Sequence, residues 1–267
     1  MGILYIVPTP IGNLKDITIR SLEVLKSVDT IYCEDTRHSK ILMNEYDIRA
    51  NLKSFHKFNE RSRIDEIIAL LDKKDIAIIS DAGTPGISDP CSLLVEEARS
   101  LNKKIITLPG ATAFVPALVS SGLDTSRFLF VGFLSQKKGE RLRTLEDLKE
   151  VKSTIIFYES PHHINETLKD MLDVFGNRNI SIAREISKIY EEHISTDIKT
   201  AVDMDFRGEL VIVVEGAKEI KKDFRLHVDH FRSMGMSNKD ILKEVLKLDR
   251  EFKRNEVYQY LVENKHE

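Results

Sequence analysis

The run Ile76-Ala77-Ile78-Ile79-Ser80, followed by Asp81-Ala82-Gly83-Thr84-Pro85-Gly86-Ile87-Ser88-Asp89-Pro90, decides how this chain is read. Five residues rich in Ile, bounded by turn formers and too short for a helix, predict a strand buried on both faces. The ten residues after it hold two Gly, two Pro and two Asp, which fix backbone shape and present N–H groups, carbonyls and carboxylates. Such a loop beyond the carboxyl end of a strand is where an open α/β sheet holds its ligand.

Outward from this segment, LYIV (4–7), TIYCE (30–34) and KIITL (104–108) read as further buried parallel strands. Between them Ile64, Ile67, Ile68 and Leu71, and then Leu94, Ala98 and Leu101, fall at helical spacing and predict amphipathic crossover helices. The other strand ends run into Pro8-Thr9-Pro10-Ile11-Gly12-Asn13, Glu34-Asp35-Thr36-Arg37 and Pro109-Gly110-Ala111-Thr112. The last of these also reads as a helix start with Thr112 as N-cap. FLFVGF (128–133), STIIFYE (153–159), ISIAR (180–184) and ELVIVVEG (209–216) repeat the same logic, with Ile164, Leu168, Met171, Leu172 and Phe175 on one helical stripe.

The fold class is therefore α/β, with two α/β domains and a small helical C-terminal appendage. Small and turn-forming residues at Ser120-Ser121-Gly122-Leu123-Asp124 place a boundary. The expected division is 1–120, 121–218 and 219–267. Lys218, Lys221 and Lys222 mark a charged connector into the appendage, where Ile241, Val245, Leu248, Val257, Tyr260 and Leu261 lie at helical spacing.

At 267 residues the chain is long enough for about two domains. Forty Lys plus Arg against 43 Asp plus Glu give net −3, which excludes attachment to nucleic acid through bulk positive charge. The charge is uneven, however: residues 221–267 carry 11 basic and 9 acidic side chains, so the preceding part is net −5. Neither Cys33 nor Cys91 sits in a metal-binding or redox spacing, and no metal site is expected. The start MGILYIVPTPIGN has no basic n-region or long apolar stretch, so a cytoplasmic protein with no membrane partner is expected. Neither the dinucleotide glycine fingerprint nor the ATP P-loop is present, which disfavours an NAD-type oxidoreductase.

PTPIGNLKDITIRSLEVL, CEDTRHS, SDAGTPGISDP, LPGAT, GFL with KKGER, FYESPHH, ARE and GELVIVVEG together resemble, in order and spacing, the RsmI family. Members of that family are S-adenosyl-L-methionine-dependent 2′-O-methyltransferases acting on a cytidine in the decoding region of small-subunit ribosomal RNA. They belong to the tetrapyrrole methylase superfamily, whose fold places the donor in a cleft between two α/β domains, usually in a homodimer. The resemblance implies donor contacts from Thr9, Pro10, Asp81, Ala82, Gly83, Thr84, Ile87, Thr112 and Ala113. It also implies contacts from the second domain near Phe133, Phe157 and Glu209. Three positions depart from the family's usual pattern: Cys91 replaces Gly, Ser135 replaces Pro, and His163 replaces Arg.

A sulfonium already activates its methyl group, so the chemistry asked of the protein is to exclude water, align a hydroxyl and take up a proton. Candidate polar groups at strand ends are Glu34, Asp35 and Arg37, then Glu159, then Arg184, Glu185 and Lys188. Asp35 or Glu159 is the expected base; the structural alternative is simple ion pairing, Arg37 with Asp35 and Arg184 with Glu185. Lys137, Lys138, Arg141 and Arg143 form the densest basic run of the first 220 residues and are the expected RNA contact, with small-subunit rRNA or the assembled 30S subunit as partner. A tetrapyrrole or corrinoid methyltransferase and a catalytically silent RNA-binding module are the competing readings.

Overall fold

A computed structural model describes residues 2–218, 223–249 and 252–264. It divides into two compact units, 1–217 and 218–267. The first unit holds two five-stranded sheets.

The first sheet is built from β1 (Ile3–Ile6), β2 (Thr30–Cys33), β3 (Asn51–Ser54), β4 (Ile76–Ile78) and β5 (Lys104–Thr107), all parallel in the order β3-β2-β4-β1-β5. Period-2 alternation sends Leu4 and Ile6 to one face, onto helices α3 (Glu60–Leu70) and α4 (Ser92–Ser100). The other face, with Ile31 and Cys33, packs on α1 (Ile19–Ser27) and α2 (Thr36–Glu45). Side-chain caps start two of these helices: Thr18 accepts from the Ser21 N–H and Asp35 from the Arg37 N–H. Contrary to expectation, KIIT is a half-exposed edge strand, and Leu101, past the end of α4, is exposed. The short polar strand β3 has no counterpart in the sequence reading.

α5 (Phe114–Ser120) begins after Ala113, with no side-chain cap, so Thr112 is not its N-cap. The second sheet comprises β6 (Phe128–Phe133), β7 (Thr154–Glu159), β8 (Asn179–Arg184), β9 (Glu192–Asp197) and β10 (Leu210–Val214), in the order β6-β7-β10-β8-β9. Only β6 and β7 are parallel; β10 runs antiparallel to both its neighbours, and β9 antiparallel to β8. The parallel pattern expected for this half is therefore replaced by a mixed sheet. Leu210, Ile212 and Val214 face α6 (Lys138–Leu148), α7 (Ile164–Phe175) and α8 (Ile198–Ala201), while Val211 and Val213 face α5. Each such buried side chain contributes about 1.5–3 kcal/mol.

The second unit contains α9 (Phe224–Ser233), α10 (Asn238–Leu248) and α11 (Arg254–Glu263) around Val228, Ile241, Val245, Val257 and Leu261. Leu248 is exposed rather than part of that core. Lys221 and Lys222 of the charged connector lie outside the described residues. Among the described residues no helix is long and apolar enough to cross a membrane.

Candidate functional site

Three loops of the first sheet are joined by hydrogen bonds into one rim. The Thr9 N–H donates to the Gly83 carbonyl (2.9 Å) and the Gly83 N–H returns to Thr9 (3.0 Å). Thr9 Oγ1 donates to the Ser80 carbonyl (3.0 Å), and Thr84 Oγ1 to the Ala111 carbonyl (2.9 Å). Gly83 has φ +82°, a left-handed backbone that favours glycine, and a Cβ on Gly110 would come within 2.5 Å of the Pro8 Cβ, so the first is required by conformation and the second by close approach.

The second sheet supplies the opposing rim. Because β10 runs antiparallel, its first residue, Leu210, pairs with both Glu159 and Arg184. Glu209 is thereby delivered to the edge where β7 and β8 end. The loop after β8 holds Glu185 at φ +50° and Ser187 at φ +65°, a left-handed backbone that non-glycine residues adopt at a cost. Contacts across the rims include the Phe114 N–H donating to Tyr158 Oη (3.3 Å).

Between the rims lie two adjoining cavities. The larger, about 390 Å³, falls in the range of small-molecule sites and is bordered by Gly83, Thr84, Ile87, Thr112, Ala113 and Phe133, together with Tyr158, Ser160 and Val211. Four carboxylates, Asp81, Asp89, Glu159 and Glu209, also border it, and no described Lys, Arg or His does. The smaller, about 270 Å³, is bordered by Thr9, Pro10, Gly12, Asn13, His38, Ser39 and Lys188. Ile11, Asp81, Ala82 and Glu209 border both cavities. Each cavity also has a buried hydroxyl with no oxygen or nitrogen partner among the described residues, Ser160 Oγ in the larger and Ser39 Oγ in the smaller.

Electrostatics differ along the rim. Burial, and then the Glu34 and Asp81 carboxylates, push Asp89 up to about 6 against an opposing Ser80 hydrogen bond. Burial and Asp81 also raise Glu34. Burial lowers the affinity of Lys188 for its proton, but hydrogen bonds to Glu185 and Glu209 outweigh it and raise the ammonium's pKa. Glu185 is lowered by the Glu209 N–H and then by Lys188.

Of the residues expected to touch a donor, Thr9 and Pro10 border the smaller cavity only. Gly83, Thr84, Ile87, Thr112, Ala113 and Phe133 border the larger, and Asp81, Ala82 and Glu209 border both. Phe157 borders neither: it is fully buried between β7 and the α6–α7 layer, and its neighbour Tyr158, on the opposite face, reaches the cavity instead.

The polar candidates separate further. Asp35 is held by Arg37 (2.7 Å), as the ion-pair reading expects; hydrogen bonds from Arg37 put its carboxyl far below the usual range, and neither residue borders a cavity, nor does Glu34. Asp35 thus caps α2 and is engaged by Arg37, away from both cavities. Glu159 is buried, with its two oxygens engaged by the Ser160 N–H (2.8 Å) and Thr167 Oγ1 (2.7 Å). Arg184 pairs with Glu192 (2.5 Å), not with Glu185, and both Arg184 and Glu185 face a separate open depression.

The basic run is also split. Arg141 is buried, donating to Asp170 (2.7 Å) and to the carbonyls of Ser135 and Gln136, so it ties α6 to α7 instead of standing at the surface with its neighbours. Lys137, Lys138 and Arg143 remain exposed. Ser135 accepts the Lys137 N–H and donates to Glu140, closing the turn before α6. Cys91 is buried at the start of α4, and burial pushes its thiol up to about 12.

The sequence profile of the Tetrapyrrole (Corrin/Porphyrin) Methylases family matches residues 3–202. A Bacillus subtilis protein named ribosomal RNA small subunit methyltransferase I is 42% identical, over 97% of this chain and 93% of its own length. A Thermotoga maritima protein of the same name is 43% identical over 81% of this chain and 99% of its own length. Among solved structures, the methyltransferase CobJ superposes with a TM-score of 0.63 at 18% identity, covering 81% of this chain and 95% of that one. A uroporphyrin-III-C-methyltransferase from Thermus thermophilus gives 0.59 at 15% identity, covering 80% and 94%. These structural likenesses concern the fold alone.

Proposed function

Because the chain belongs to the tetrapyrrole methylase family and is matched over nearly its whole length by a protein named ribosomal RNA small subunit methyltransferase I, we propose that it transfers a methyl group from S-adenosyl-L-methionine to a cytidine 2′-hydroxyl in the decoding region of small-subunit rRNA. The observation that carries this reading is the charge of the larger cavity. Four carboxylates and no described cationic side chain border it, which suits a donor bearing both a sulfonium and an ammonium and does not suit a nucleotide cofactor held by its phosphates. The Ser160 hydroxyl, without a partner among the described residues, supplies a hydrogen-bonding group on the cavity wall.

Bound there, the donor supplies an electrophilic methyl group. The rim joined through Thr9, Gly83 and Thr84 presents backbone groups from one side, and Phe133 and Val211 close the other with apolar surface. Alignment of acceptor and donor contributes about 7–11 kcal/mol and a base about 3–5 kcal/mol, so positioning dominates the rate. The exposed Lys137, Lys138 and Arg143 are proposed to meet RNA phosphates. A homodimer acting in the cytoplasm on the assembled 30S subunit is the proposed setting.

Labelled donor incubated with unmodified small subunits, followed by mapping of the modified nucleotide, tests the proposal. Label at a decoding-region cytidine 2′-oxygen is the expected result. Label only in a porphyrinoid, or no donor binding at all, would replace it with one of the competing readings.

A further inference from the structure

We infer that Glu209 takes the proton from the acceptor hydroxyl, the acceptor nucleotide sitting in the smaller cavity; this rests on the methyltransferase reading above. A base must reach the point where donor and acceptor meet, which is the wall common to the two cavities. Among the described residues, only Asp81 and Glu209 are ionisable and border both. Asp81 Oδ1 already accepts the Asp35 backbone N–H (3.0 Å) and serves the loop junction. Glu209 is solvent-accessible, and Lys188 Nζ engages its Oε2 (3.0 Å). Its Oε1, like Asp81 Oδ2, is uncommitted among the described residues; the difference is that a described cation, Lys188, aims the Glu209 carboxylate and none is paired with Asp81.

The surroundings of Glu209 form a clamp. Glu185 Oε1 accepts both the Glu209 N–H (2.9 Å) and the Lys188 ammonium (2.9 Å), fixing the backbone of Glu209 and the cation that holds its side chain. A Cβ on Gly208 would collide with the Glu185 carboxylate, and one on Gly12 would come within 2.6 Å of Lys188 Cγ. Two non-glycine residues in left-handed backbone, Glu185 and Ser187, frame the same loop. Strain concentrated at one hydrogen-bonded cluster on a cavity wall is the pattern of a site held in a working geometry. The charged and titratable groups facing Glu209 are Lys188 and Glu185 beyond β8, Asp81 beyond β4, Asp89 and Glu159 across the larger cavity, and His38 across the smaller.

A second observation points to a ligand in the smaller cavity. Ser39 is 3% exposed and its hydroxyl has no conventional partner; the Cys33 thiol beside it is a weak one. In the step itself the ribose oxygen forms a bond to the methyl carbon as the carbon–sulfur bond breaks. The bonding pair goes to sulfur, which loses its positive charge, and the hydroxyl proton passes to Glu209 Oε1. Lys188 is a positioning residue that aims the carboxylate.

Single-turnover methyl transfer from labelled donor to unmodified small subunits, with donor affinity measured by calorimetry, tests the assignment. Glu209→Ala and the isosteric Glu209→Gln are expected to lose about 10²–10⁴-fold in single-turnover rate at saturating donor and RNA, beyond any change in donor Kd. Formate is expected to restore at least about tenfold in Glu209→Ala and nothing in Asp81→Ala. Lys188→Met should lose about tenfold in single-turnover rate at saturating RNA, with Lys188→Arg recovering most of it. A Glu209→Gln rate near that of the unaltered protein, a loss in Glu209→Ala that formate leaves unchanged, or rescue confined to Asp81→Ala would overturn the assignment. Absence of transfer by the unaltered protein would instead defeat the rRNA reading on which it rests.

Discussion

The two cavities share Ile11, Asp81, Ala82 and Glu209, yet they differ in charge and in how their walls are made. The larger is a carboxylate-lined chamber with an apolar cover from Phe133 and Val211; the smaller contains an ammonium, an imidazole and polar loop atoms. A cationic small molecule and a nucleotide are thus offered separate environments a single side chain apart. On the proposed reading, specificity for the donor and for the acceptor rests largely on different residues, with Asp81 and Glu209 shared, and should respond to different substitutions.

The strongest blow to that separation is Gly12→Val. Gly12 borders the smaller cavity, where the new side chain would strike Lys188, and it would also strike the carbonyl of Ile186, which borders the larger. Methyl transfer should fall by about 100-fold or more, with a smaller loss of donor affinity, as measured by turnover and calorimetry side by side. Next comes Phe133→Lys, which brings a cation to the chamber that has none. Donor Kd should rise about 10- to 100-fold, against a few-fold for Phe133→Leu, which alters only apolar contact.

A subtler probe is pH. Asp89 is neutral well below its pKa of about 6 and charged above it, and a cationic ligand favours the charged form. Donor binding should therefore tighten about three- to tenfold between pH 5 and pH 7, and Asp89→Asn should flatten this dependence. Smallest is Ser39→Ala, which deletes a buried hydroxyl whose partner among the described residues is the weakly bonding Cys33 thiol. Thermal or denaturant unfolding should show stability unchanged or raised by up to about 1 kcal/mol. RNA half-saturation should rise by about two- to threefold with donor Kd constant.

Much of this arrangement is legible in the sequence because strands and ligand loops leave local marks. The Ile- and Val-rich runs name eight of the strands, and the loops at 8–13 and 81–90 do contribute walls of the cavities. What escapes is whatever depends on partners distant in the chain. β3 and β9 are edge strands with polar, half-exposed sequences that lack a buried-run signal. The direction of β10 is invisible in ELVIVV, since a strand buried on both faces reads alike either way. Phe157 and Tyr158 differ only in which face they occupy, a distinction of one residue in a period of two. Arg141 looks like its exposed neighbours until α7 brings Asp170 against it.

The position of β10 also governs the order in which this unit can be completed. β7 and β8 do not pair with each other; residues 210–214 are inserted between them, joining sheet halves that precede them in the chain. During synthesis the second sheet therefore remains two separate ladders, each with an unpaired edge, until nearly the whole of residues 1–217 has been made. Closure then pairs both ladders through five almost fully apolar residues and carries Glu209 to the cavity wall in the same event. A nascent chain stopped short of residue 209 has neither a continuous second sheet nor Glu209, one of the four residues that border both chambers.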